Sequence, residues 1–348
     1  MYIDKKTPNP HLPVKQQWLD LIKEDAVDSS LPMIDPHHHL WNHEGKPYMI
    51  NELLADINTG HNIVATVAVE ARAIYRNSGN PDFAPLGEVE FINGIAAMSA
   101  SGEFGHTQVA TGIVGHANLL LGEKVQAVLD AQISAASSRF KGIRMSSIWH
   151  PDPSASASLT KPPEGLMLDS QFRTGFKQLT QSNLSFDAWL YHTQIDELID
   201  LVKHFDQTTI ILNHTGGPNG IGPFANRRQE VFDQWRVSMK KLAQYPNVYT
   251  KVGGMGMKVF GFDFADKPLP PTSDELLSQW KPYIDSCIEI FGSNRCMFES
   301  NFPVDKGTCS YAVLWNCFKK ATLGLSVDEK RELFFGTANK AYRLNLNQ

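Results

Sequence analysis

Cysteine is scarce and comes late. The 348-residue chain has four cysteines, Cys287, Cys296, Cys309 and Cys317, and none forms the CxxC pair that builds a zinc knuckle. Their apolar surroundings mark them as buried free thiols. Long hydrophobic runs are missing too, since no stretch approaches the ~20 apolar residues that span a bilayer. The opening MYIDKKTPNPHLP lacks the apolar core of a signal peptide, so the sequence reads as a cytoplasmic protein. Nor is there a basic excess: 32 Lys and Arg stand against 37 Asp and Glu, a net charge of −5. That balance gives no footing for nucleic acid or an anionic membrane. The expected partner is a small-molecule substrate, and a homo-oligomer is left open. At 42% hydrophobic and 20% charged, the chain is able to bury a sizeable core. Histidine is what it has in surplus, with 12 in all and three in a row at His37-His38-His39.

From residue 33 onward, short apolar or β-branched runs alternate with longer segments of helical pattern. Strands are expected at 33–39, 62–70, 107–117, 140–146, 184–192, 208–214, 247–253 and 295–301. Helices are expected at 51–59, 88–101, 122–137, 169–182, 194–205, 226–244, 273–291 and 311–322. Eight strand–helix units in succession read as an α/β chain closed into a (β/α)8 TIM-like barrel. An open doubly wound sheet would carry a Gly-rich fingerprint after its first strand, and histidines stand there instead. No linker divides the chain. It reads as one domain: an N-terminal arm (1–32, with a short helix near 14–24), a barrel (33–325) and a C-terminal helical extension (326–348).

In such a barrel, chemistry collects at the C-terminal strand ends. Strand 1 ends in Asp35-Pro36-His37-His38-His39, strand 2 in Glu70, strand 5 in Tyr191-His192, strand 6 in Asn213-His214 and strand 8 in Glu299-Ser300-Asn301. His116 closes strand 3, while strand 4 carries Arg144 and precedes His150. Alternate strand residues face opposite sides, so His37 and His39 share a face and His38 opposes them. Two imidazoles so placed present nitrogens to a common point, as a metal chelate needs. The same parity makes Thr208, Ile210 and Leu212 an apolar file ending at His214, and Phe186, Ala188 and Leu190 a file ending at His192. Each histidine also admits a plainer reading as a hydrogen-bonded structural residue.

Four motifs in barrel order resemble the amidohydrolase superfamily: Asp35-x-His37-x-His39, Lys141-Gly142-Ile143-Arg144, Leu212-Asn213-His214-Thr215-Gly216-Gly217-Pro218 and Phe298-Glu299-Ser300-Asn301-Phe302-Pro303. The branch they resemble is the lactonase-like one, and the likeness runs from about Met33 to Arg343. It implies a hydrolytic site with one divalent ion, zinc or manganese, on His37 and His39, to which some members add the histidine matching His214; Glu70, an inward carboxylate at the end of strand 2, is a further candidate ligand. Some lactonases of this branch work without metal. The branch has an aspartate where this chain has Asn301, a neutral group that cannot take a proton from water. The general base must then come from elsewhere, and Glu299, one layer deeper on the same strand face, is the natural replacement.

The reading that follows is hydrolysis of a small anionic lactone, with Glu299, His192 and Asn301 at the chemistry. Arg144, Arg72, Arg76 and Tyr191 would hold the substrate, a guanidinium fork matching a carboxylate. The parity of Arg144 also allows an outward salt bridge to the helix layer. Two alternatives remain at this point: a metal-dependent decarboxylase of the same superfamily, and a barrel that binds without catalysis.

Overall fold

In a computed structural model, which describes residues 11–43, 45–158 and 160–347, the alternating pattern becomes eight parallel strands. These are β1 (Met33–His38), β2 (Ile63–Val69), β3 (Gln108–Gly115), β4 (Phe140–Arg144), β5 (Ser185–Ala188), β6 (Ile210–Leu212), β7 (Val248–Val252) and β8 (Cys296–Phe298). Each pairs with the next in chain order. The ends join through residues just past β8: the Asn301 N–H donates to the His37 carbonyl at 2.8 Å, and the His39 N–H to the Phe302 carbonyl at 2.7 Å. The chain is a (β/α)8 TIM barrel.

The major helices form an outer ring, from Ile50–Ile57 to Tyr311–Ala321. Ser273–Phe291 is the longest, begun by a Thr272–Glu275 capping box that satisfies free N–H groups and places negative charge at the positive helix end. The helix expected near 14–24 shrinks to Gln16–Leu19, which has no side-chain cap and no acid in its first turn. A short uncapped segment cannot offset the cost of helix nucleation. Arm residues 11–32 are held by tertiary bonds instead, such as Lys15 Nζ to the Ala265 carbonyl at 3.0 Å. No helix among the described residues is long and apolar enough to cross a membrane.

The barrel interior is closed from below by the C-terminal segment. Ile34, Val67, Val114, Ile211, Tyr249 and Met297 from the strands pack with Phe335, Ala338, Ala341, Tyr342 and Leu344. This overturns the parity read for β5 and β6. Ile211 lines the barrel, whereas Ile210, Leu212, Phe186 and Ala188 belong to the outer core between sheet and helices. His214 still turns inward because it and Thr215 adopt left-handed backbone, with φ of 52° and 55°. Gly254 makes room for that turn, since a Cβ there would lie 2.4 Å from His214 Nδ1.

A second irregularity shapes β1. Between Asp35 and His38 the register against β2 slips, a bulge at Pro36, which has no N–H to give the ladder. His37 thereby faces the cluster described below, while Asp35 joins β1 to the segment after β8. Its buried carboxylate accepts from Ser300 N (3.1 Å), Ser300 Oγ (2.6 Å) and the Tyr311 hydroxyl (2.9 Å). The His37 N–H also donates to it at 3.3 Å, so replacing it removes the acceptor of four buried donors. Asp35→Ala should lower unfolding free energy by about 3 kcal/mol in urea titration; a loss below about 1 kcal/mol would mean that β1 is held by its ladder alone.

Candidate active site

Burial of polar side chains, not of apolar ones, marks the upper end of the barrel. His37, His39, His214, Glu70, Arg144, Asp187, Lys251, Glu299, Asn301 and Asp305 are all buried. At the centre Glu299 spans two histidines. Its Oε1 accepts from the backbone N–H of His214 at 3.0 Å and from the ring Nδ1 of His214 at 2.8 Å. Its Oε2 lies 2.7 Å from His37 Nδ1, yet makes no aligned hydrogen bond.

His37 is enclosed by fixed cations. Arg144 Nη1 is 3.2 Å from its Nε2, and Lys251 Nζ is 3.1 Å from its Nδ1. A guanidinium and an ammonium both only donate, and a neutral imidazole has a single lone pair, so the His37 ring accepts from one of the two cations and turns its N–H side to the other. Each cation has its own counterion. Arg144 Nε donates to Glu70 Oε1 at 2.8 Å and Nη2 to the Glu70 carbonyl at 2.6 Å. Lys251 Nζ donates to Asp187 Oδ2 at 2.7 Å, and the Tyr342 hydroxyl reaches the same carboxylate at 2.8 Å.

His39 is oriented by the Val69 carbonyl, 2.9 Å from Nδ1. A carbonyl only accepts, so Nδ1 holds the proton and Nε2 is bare. That Nε2 faces Asn301 Oδ1 at 3.2 Å, while Asn301 Nδ2 is 2.8 Å from Asp305 Oδ1. Two lone pairs facing each other repel. The contact becomes favourable when the amide is turned over, with Asn301 donating to His39 and accepting from a protonated Asp305. Burial pushes Asp305 up to about 8, which suits that arrangement.

Desolvation sets the charge states. Burial, then Lys251, hold His37 well below the usual imidazole range. Burial and Arg144 do the same for His39 and His214. Burial raises Glu299 to about 8 against the opposing pull of Lys251. The site therefore offers neutral imidazoles and a carboxyl tuned near neutral pH, the range in which a general base works best.

His37, His214 and Glu299 have ligand atoms within 4.8 Å of one another and form a group able to hold a metal ion. The donor set fits a divalent ion: two imidazoles and a carboxylate, whose buried Oε2 has no hydrogen-bond partner.

The remaining residues singled out from sequence are placed as follows. His39 is bound to Asn301, and Glu70 to Arg144, so neither joins that three-residue group. Arg144 reaches inward, not to the helix layer. Arg76 leaves the site and pairs with the exposed Glu90 of the helix Leu86–Ala100. Arg72 stays half-buried in the loop after β2, its charge felt at Tyr75 and His116. His192 Nδ1 accepts from the Asn219 N–H at 3.2 Å and its ring meets Phe224 edge-on. The Tyr191 hydroxyl accepts from the Ala157 N–H at 3.3 Å. Both are thereby built into the loops after β4, β5 and β6. His116 holds the Arg144 carbonyl at 3.0 Å.

Lys251, Asp187, Tyr342 and Asp305 escaped the sequence reading. A signal was present for two of them, because Lys251 and Asp187 are lone charges inside apolar strands. Such charges are rarely buried unless paired.

A family model described as Amidohydrolase matches residues 34–344. The chain belongs to the amidohydrolase family. This amidohydrolase is 34% identical to the protein y4mH of Sinorhizobium fredii over 342 residues, covering 91% of the chain and 100% of the relative. An L-fucono-1,5-lactonase of Burkholderia multivorans is 25% identical over 177 residues, 51% of this chain and 57% of that one. Among solved structures, an amidohydrolase from Burkholderia multivorans with bound zinc superposes with a TM-score of 0.68 at 20% identity, over 90% of this chain and 99% of that one. At that identity the likeness shows the barrel fold.

Proposed function

We propose that this amidohydrolase opens a small lactone by attack of an activated water. The observation that carries the reading is the Glu299 carboxylate set between His37 and His214, a proton acceptor that is itself one of the three residues able to hold a metal. The lactonase relative, matched over half of this chain, points the same way. His37, His214 and Glu299 would hold one divalent ion, zinc or manganese. Such an ion polarises a carbonyl and lowers the pKa of bound water from 15.7 towards ~7.

The chain's own groups do the rest. Glu299 takes the proton from water. The Nδ1–H of His214 keeps that carboxylate aimed, and Arg144 and Lys251 flank the ring of His37 and keep it uncharged. We read the substrate as anionic on the positive charge of the half-buried Arg72 in the loop after β2, since Arg144 is paired with Glu70 and Arg76 with Glu90. A lactone demands less than an amide, because its ring-opened oxygen leaves more readily.

The test is a panel of lactones, aromatic carboxylates and amides offered to protein loaded with zinc or manganese. Ring opening of one lactone class is the expected outcome. Release of CO2 from an aromatic carboxylate would replace this reading by a decarboxylase, and tight binding without turnover by a binding barrel. His37→Ala and His214→Ala should each lower kcat/KM by at least ~10²-fold, about 2.7 kcal/mol of transition-state stabilisation. Rates like those of the wild type would remove either residue from the site.

A further inference from the structure

A file of rings leads out of the catalytic cluster and ends on the N-terminal arm. Trp189 stands edge-on to His214 with centroids 4.6 Å apart, His214 is 4.6 Å from His37, and His37 is 4.9 Å from His39. Trp41 then stacks on His39 at 5.9 Å with planes 16° apart. His11 lies parallel to Trp41 at 6.4 Å and 9°. His43 lies tilted at 32° to Trp41 with centroids 5.1 Å apart and is tied to the Ala71 carbonyl at 3.2 Å. Trp41 thus has near-parallel ring contacts with His39 of the barrel and with His11 of the arm.

The arm is fastened where the strands end. Lys15 donates to the Ala265 carbonyl and Trp18 Nε1 to the Lys267 carbonyl at 3.1 Å, both in the loop after β7. Leu12 packs on Gly307, beyond β8, so closely that a Cβ at 307 would come 2.6 Å from Leu12 Cβ and 2.7 Å from its carbonyl oxygen. Close approach of backbone is a reason for glycine at that position. His11 also lies within electrostatic reach of Arg144. Burial, His43 and Arg144 together lower its pKa to about 4, so at neutral pH it presents an uncharged imidazole to the mouth.

We propose that the arm is a fixed wall of the substrate mouth and that His11 is a specificity-determining residue, which sets through Trp41 the size of lactone admitted to the His37–His214–Glu299 cluster. The proposal rests on the lactonase reading for its substrate and on the ring file for its geometry. With ring contacts to both His39 and His11, the indole is steadied from the arm, and bulk on the substrate ring would meet it there.

Three variants test it: His11→Ala, which uncovers Trp41; Gly307→Ala, which lifts Leu12 off its seat without touching the cluster; and His11→Phe, which restores a ring. Two readouts are taken on folded protein, with circular dichroism and melting as controls. One is the ratio of kcat/KM for a ring-substituted lactone to that for its unsubstituted parent. The other is the rate at which zinc-loaded protein loses zinc to a chelator. In His11→Ala and Gly307→Ala the ratio should rise by about tenfold or more, the scale at which a pocket discriminates small apolar groups, and zinc loss should quicken by about tenfold as the cover opens. His11→Phe should return both to the wild-type values. Values within about twofold of wild type in both Ala variants would overturn the proposal. If wild-type protein opens no lactone at all, the reaction reading falls, and the zinc-loss comparison still decides whether the arm guards the cluster.

Discussion

Glu299→Gln should lower kcat/KM for the lactone substrate by about 10³-fold, near 4 kcal/mol of transition-state stabilisation. The substitution keeps the shape of the side chain and an amide oxygen for the His214 N–H groups, so the barrel should fold and melt as before. What disappears is the anion that accepts the proton. The pH profile adds a second mark. Burial raises Glu299 from 4.5 to about 8, so below that pH the carboxyl is protonated and idle, and the rate climbs as pH rises towards it. A cation held by Glu299 favours the ionised form and moves this limb to lower pH. In Glu299→Gln the limb should vanish altogether. A variant with wild-type rate and wild-type limb would place the base elsewhere.

The largest effect on stability is expected from Lys251→Met. Lys251 and Asp187 are both wholly buried and joined at 2.7 Å. Removing the cation leaves a carboxylate in the interior with only the Tyr342 hydroxyl and the Asn213 amide to solvate it. Breaking one side of a buried pair costs about 3–5 kcal/mol. Urea unfolding of the single variant should show that loss. The double variant Lys251→Met/Asp187→Asn should recover more than half of it, because a neutral amide still accepts from Tyr342 and no charge is stranded. Equal losses in the two proteins would mean that the lysine acts by packing, and not as a counterion.

The fold was legible because its physics is local and repeated. Apolar runs buried on both faces, each followed by a helical period, leave few topologies other than the barrel, and expected elements such as 273–291 coincide with Ser273–Phe291. The histidines stood out for a related reason: His37 and His39 follow an apolar strand, and His214 precedes a Gly-Gly-Pro turn. Facing was where sequence reasoning failed. Parity assumes an unbroken strand, and β6 ends in two left-handed residues while β1 is bulged at Pro36. The apolar file Phe186–Ala188–Leu190 was therefore turned to the interior, although Asp187 lies there. Pairing was equally hidden. Nothing near Arg76 distinguishes it from Arg72 until Glu90 arrives from a neighbouring helix. Tyr342 lies 91 residues beyond Lys251 in the chain (342 − 251) and meets Asp187 only once the barrel has closed.

Tyr342 bears on how the protein is made. Its hydroxyl completes the polar centre from below, and in chain order it follows all eight strands. During synthesis the strands emerge first and can begin to pair, but Asp187 and Lys251 then lack the floor that shields them from water. The final arrangement around His37 must wait for the residues after β8 to leave the ribosome and fold back underneath. A barrel caught before that moment would have its strands in order and His37 unmoored.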